Sequence, residues 1–74
     1  MNITTEELID EIQKPIYKEE PLDVWLNLHP VKVNYIFYFE NGLICTLNEN
    51  NEFDESWSII EFLTEFQDQF WIIN

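Results

Sequence analysis

Between Val31 and Phe39 every second residue is apolar: Val31, Val33, Tyr35, Phe37 and Phe39 alternate with Lys32, Asn34, Ile36 and Tyr38. Successive side chains of a strand point to opposite faces, so this run lays one hydrophobic face on a core and makes a sheet the base of the fold. The following turn is read from parity. A two-residue Asn41-Gly42 turn would set Phe39 beside Ile44, out of step with an inner face of Leu43, Cys45 and Leu47. A three-residue loop, Glu40-Asn41-Gly42, with Gly42 left-handed in a G1 bulge, pairs Phe39 with Leu43, Phe37 with Cys45 and Tyr35 with Leu47. The bulged hairpin is the expectation.

Helical signals flank this centre. Thr4 and Glu7 stand in the capping-box relation, and Ile3 and Leu8 occupy the positions of a hydrophobic staple. Leu8, Ile9 and Ile12 then form an inner stripe until Pro15 stops the helix. Residues 15–23 hold two prolines and read as a surface connector. Residues 23–29 alternate Val24, Leu26 and Leu28 against Trp25, Asn27 and His29, which favours an edge strand over a helix opened by Pro21. Asn48–Glu52 is a turn, with a short third pairing at Phe53. Asp54 is expected to cap a second helix, because Ile59, Phe62, Leu63, Phe66 and Phe70 recur at helical spacing, with Glu61, Glu65 and Asp68 opposite. Residues 71–74 either prolong that helix or fold back extended. The expected class is α+β: one domain over residues 1–74, a small three-stranded antiparallel sheet with flanking N- and C-terminal helices, α-β-β-β-α.

Twelve aromatic residues and ten isoleucines among 74 residues supply a dense core, so the high charge does not signal disorder. The net charge is −12, from fifteen carboxylates against three lysines. Such a chain lacks the cationic footprint for direct nucleic-acid or anionic-membrane binding. No apolar run is long enough to span a bilayer and no secretory leader is recognisable, which points to the cytoplasm.

Catalysis finds few tools. One cysteine, one histidine and two serines offer no nucleophile–base–orienter set. Cys45 falls on the expected inner face as a small hydrophobe, and His29 lies at a strand end before a proline. Zinc spacing and a calcium loop are both missing, the nearest stretch, Asn48–Glu52, lacking the sixth-position glycine. The expectation is a binding protein with no catalytic residue, metal or cofactor.

Two surfaces are candidates for the binding. Glu6 and Asp10 on the first helix, and Glu61, Glu65 and Asp68 on the second, form rows of like charge with almost no lysine to relieve them, spaced to occupy a basic groove meant for nucleic acid. The outer face of the hairpin carries Ile36, Tyr38 and Ile44 beside Asn34 and Thr46, an apolar patch suited to an interface or to a homodimer.

The opening Met1-Asn2-Ile3 and Leu8-Ile9-Asp10-Glu11-Ile12 helix, the Asn34–Leu47 hairpin and the acidic segment from Asp54 to Asp68 together resemble the small acidic anti-defence proteins of bacteriophages, particularly anti-CRISPR inhibitors that mimic nucleic acid. The resemblance lies in layout and charge. It implies a protein that sits in the nucleic-acid cleft of a bacterial nuclease, in a bacterial or phage-infected cell, and blocks it with Asp and Glu side chains. The abundance of Trp and Phe departs from that pattern. The expected function is therefore inhibition of a nucleic-acid-binding enzyme through a basic surface, with an adaptor that uses the hairpin patch and the tryptophans as the alternative.

Overall fold

A computed structural model describes residues 2–27, 30–67 and 69–73, apart from the side chain of Asn27. The chain runs through β1 (Asn2–Thr4), α1 (Thr5–Ile12), a 3-10 turn (Pro15–Lys18), β2 (Leu22–Asn27), β3 (Lys32–Glu40), β4 (Leu43–Leu47), β5 (Phe53–Ser58), α2 (Ile59–Glu65) and β6 (Gln69–Ile72). The strands form one sheet in the order β1-β6-β2-β3-β4-β5, every neighbouring pair antiparallel. The fold is thus mixed α/β and mostly strand, but the expected three-stranded sheet is corrected to six strands and the expected terminal helices to terminal strands. His29 and Asp68, both singled out in the sequence, lie outside the described residues.

The first helix begins as its capping box dictates. The Thr4 N–H donates to Glu7 Oε1 at 3.0 Å and the Glu7 N–H donates to Thr4 Oγ1 at 3.2 Å, which satisfies two of the otherwise orphaned donors of the first turn. α1 spans eight residues and ends three residues short of Pro15. Pro15 opens the 3-10 turn that follows.

β2 is a strand, as the alternation of Val24 and Leu26 against Trp25 favours, but it is not an edge. β3 pairs it on one side and β6 on the other.

The β3–β4 hairpin corrects the bulged turn. Asn41 and Gly42, at φ 53° and 76°, make a two-residue connection, and Phe39 pairs with Ile44, Tyr38 with Cys45 and Phe37 with Thr46. Positive φ at both central residues is the type I′ conformation that Asn-Gly adopts most readily. The inner residues of β4 are accordingly Ile44 and Thr46, both buried, and not Leu43, Cys45 and Leu47. An inner set of Leu43, Cys45 and Leu47 is one residue out of step with this pairing, and a shift of one flips every side chain to the other face.

The second helix is displaced as well. Asp54 lies in a strand, and the cap is Ser58, whose Oγ accepts from the Glu61 N–H at 3.1 Å while Glu61 Oε1 accepts from the Ser58 N–H at 2.9 Å. Phe70, counted as part of the helical stripe, belongs to β6. A bulge accommodates the change, because residues 54 and 55 together oppose Thr46. The Thr46 hydroxyl accepts the Glu55 N–H there at 3.1 Å.

α1 and α2 cover the same face of the sheet. Leu8, Ile9 and Ile12 of α1 and Phe62 of α2 join Phe66, Val24, Leu26, Phe37, Ile44, Trp57, Phe70 and Ile72 in one buried cluster, and Tyr17 of the 3-10 turn packs on it from the same side. Phe62 is its hinge, with ring centroids 5.5 Å from Phe37, 5.7 Å from Trp57 and 4.6 Å from Phe66.

Candidate functional site

The opposite face of the sheet is covered by no element among the described residues. Alternation and register place on it Asn2 and Thr4 of β1, Gln69 and Trp71 of β6, Asp23 and Trp25 of β2, Lys32, Asn34, Ile36, Tyr38 and Glu40 of β3, Leu43, Cys45 and Leu47 of β4, and Phe53, Ser56 and Ser58 of β5. At its centre Trp25 and Trp71 are directly opposed across the β2–β6 pair, 39% and 52% exposed. With Asn2, Lys32 and Gln69 they line a shallow depression. Phe53, 59% exposed, extends the apolar surface to the far edge, and Ile73, just beyond β6, adds to it on the near side.

Ile36 and Tyr38 stand on this face and are half-buried, where the sequence placed them. Ile44 and Thr46 do not, since the hairpin register turns both inward. Cys45 takes their side, and its thiol is buried under its neighbours although it lies outside the core cluster. Burial, then the nearby Glu40, push the Cys45 thiol up, against a smaller lowering by a hydrogen bond with Tyr38. The Tyr38 hydroxyl is also pushed up, first by burial and then by Cys45 and Glu40. A thiol held protonated in this way is a weak nucleophile.

The face carries little charge. Its strand positions hold Asp23, Glu40 and Lys32, a net of −1, against −12 for the whole chain. Asp23 is engaged, its Oδ1 accepting from Asn34 Nδ2 at 2.6 Å. Among the described residues the remaining carboxylates sit in α1, α2, the bulge of β5 and the loops.

The predicted acidic residues are separated in role by the structure. Glu6 and Asp10 are exposed on α1, away from its buried stripe. Glu61 is committed to the capping box, and its hydrogen bonds from the Ser58 backbone and side chain hold its carboxyl below the usual carboxylate range. Glu65 accepts from Trp57 Nε1 at 2.7 Å. These two therefore hold the fold as well as carrying charge, and Glu6 and Asp10 remain as uncommitted members of the row. Among the described residues no group of His, Cys, Asp and Glu is arranged to hold a metal ion, and no helix is long and apolar enough to cross a membrane.

Sequence reasoning placed Trp25 on the polar side of its strand but missed its partner. Trp71, expected either to prolong the second helix or to fold back extended, does the latter, and the alternation Gln69, Phe70, Trp71, Ile72 marks the strand without marking its partners. Compared with protein-family models, curated proteins and solved structures, the chain matches none of them.

Proposed function

We propose that this protein is a non-catalytic protein-interaction module that binds through the open face of its sheet. The observation that carries this reading is the Trp25–Trp71 pair, side by side and exposed on a face that no helix covers. Tryptophan is the side chain most enriched among the residues that dominate binding energy, and an apolar centre ringed by Asn2, Asn34, Ser56 and Gln69 has the composition of an interface core with a polar rim. Large exposed apolar patches on a small protein mark such surfaces. The cytoplasm is the proposed location, consistent with a lone reduced Cys45.

The acidic surface supports a second reading, an inhibitor of a nucleic-acid-binding enzyme that presents carboxylates to a basic cleft. What favours it is the exposed Glu6 and Asp10, which have no lysine in their row, since Lys14 is paired with Glu11 at 2.8 Å. Affinity enrichment from a bacterial lysate at low and high salt separates the two. Under the first reading Trp25→Ser with Trp71→Ser abolishes capture and salt leaves it nearly unchanged. Under the second, Glu6→Lys with Asp10→Lys abolishes it and about 0.5 M salt releases the partner, because exposed charges are screened within about 10 Å or less. Capture that survives the tryptophan pair and is lost with the acidic pair rejects the first reading.

A further inference from the structure

We infer that the occupant of the open sheet face is a second copy of this chain, packed face to face about a two-fold axis, so that the working unit is a homodimer with its acidic helices turned outward. The inference rests on the sheet face being the binding surface, and three observations select a copy of the same chain over another partner.

The first is area. Trp25, Trp71 and Phe53 are exposed by 39%, 52% and 59%. At roughly 150–250 Å² per aromatic side chain these fractions come to about 300 Å². Leu43 and Ile73, together with the half-buried Ile36, Tyr38 and Leu47, bring the apolar patch to about 500 Å², near the top of the range for the largest patch on a monomer. The polar positions around it extend the contact toward the ~800 Å² per partner of a standard stable interface.

The second is charge. A partner selected by the acidity of this protein would have to meet carboxylates, yet the face carries a net of only −1 and Asp23 is already hydrogen-bonded to Asn34. A nearly neutral apolar face in a chain of charge −12 fits another nearly neutral apolar face.

The third is the direction of the remaining carboxylates. Two copies of charge −12 repel, but α1 and α2 both lie on the covered face, so they point away from each other in a face-to-face pair. With layers spaced about 10 Å apart, the two α1 helices stand about 30 Å from each other, several times the ~8 Å screening length at physiological salt. Edge-to-edge pairing through β5 is the less favourable arrangement, and the other edge, β1, offers only three residues. Pairing through β5 would bring that edge, with Asp54 and Glu55, against its own copy, and like charges placed opposite one another destabilise a strand pair.

Sedimentation equilibrium of the whole chain, from low to high micromolar concentration, tests this. The expected mass rises from 9.0 kDa to twice that, changes little between about 50 mM and about 500 mM salt, and is accompanied by a blue shift of tryptophan emission as Trp25 and Trp71 lose water. Trp71→Lys, and independently Leu43→Lys, should weaken self-association at least tenfold while the far-ultraviolet dichroism stays native, since both side chains are exposed in the single chain. Glu6→Lys should leave the mass unchanged. A chain of 9.0 kDa at every concentration overturns the homodimer, as does association that Glu6→Lys alters and Trp71→Lys does not. If the chain is monomeric yet captures a partner only when Trp71 is intact, the second copy is rejected and the interaction-module reading stands. If capture is also indifferent to Trp71, both fall.

Discussion

The indole N–H of Trp57 donates to the Glu65 carboxylate at 2.7 Å and so ties the inner side of the edge strand β5 to the last turn of α2. Trp57 is buried while Glu65 lies at the surface, which makes the contact a charge-assisted hydrogen bond at the lip of the core. Trp57→Phe keeps an aromatic ring against Phe37, Phe62 and Phe66 but removes the donor. A loss of about 1 kcal/mol for the hydrogen bond is expected, with some packing loss in addition. Urea unfolding of Trp57→Phe, Glu65→Gln and the double variant checks it: coupling between the two sites supports the contact, and simple additivity argues against it.

The second capping box gives α2 a pH dependence. Hydrogen bonds from Ser58 favour the ionised Glu61 carboxylate and hold it below its usual range. Because the folded value is depressed, this contribution to stability is complete above the ordinary carboxylate range of about 4.3 and is lost as pH falls through the folded value. Glu61→Gln should therefore flatten the acid limb of the stability curve by losing this contribution near neutrality, while changing little at low pH where the wild-type carboxyl is already protonated. Ser58→Ala should cost about 1 kcal/mol at neutral pH, read from the denaturant midpoint.

Thr46 holds the β5 bulge through the Glu55 N–H. Thr46→Ser keeps the hydroxyl and should cost only its buried methyl, about 0.8 kcal/mol, with amide exchange at Glu55 unchanged. Thr46→Val keeps the shape but leaves that donor without its acceptor, for a loss of about 1 kcal/mol and faster amide exchange at Glu55. Amide exchange at Glu55 that is unchanged in Thr46→Val would assign the bulge to the backbone alone.

Phe62→Ala empties the site where four aromatic rings meet around a fully buried side chain. Large-to-small changes of this kind cost about 3–5 kcal/mol. At roughly 0.05–0.15 kcal/mol per residue a chain of 74 residues has about 4–11 kcal/mol in all, so this one change removes a large share of it. Thermal unfolding should show Phe62→Ala melting far below the wild type or without a cooperative transition, and Phe62→Leu between the two.

Cys45 should resist alkylation. Its thiol is buried and pushed up by that burial and by Glu40, so the thiolate fraction near pH 8 is small. Reaction with iodoacetamide should be slow in the native protein and should accelerate strongly in denaturant. Rapid native labelling would mean that the outer sheet face opens locally.

The local signals in the chain were largely legible. Thr4 and Glu7 announced α1, and the alternation of β3 announced a strand whose inner side is Phe37, because each signal depends on neighbours a few residues apart. Asn41-Gly42 is also a local signal, but the apolar alternation of Leu43, Cys45 and Leu47 competes with it, because Cys45 is buried although it lies on the outer side. The candidate site is half visible: parity places Ile36 and Tyr38 within their own hairpin, whereas the four-residue strand of Trp71 alternates without recording that β2 is its partner.

Local pattern is enough to dictate that the chain makes a sheet against helices, that β3 anchors it, and that most of the charge is negative. Tertiary structure alone decided that the C-terminal segment inserts between β1 and β2, that both helices fall on one face, and that Trp25 and Trp71 meet on the other. The reason is that strand pairing across the chain is non-local. β6 has no partner within reach of its own sequence, and the hydrogen bonds that make it a strand are supplied by residues about 45 and about 70 positions away, which no local pattern records.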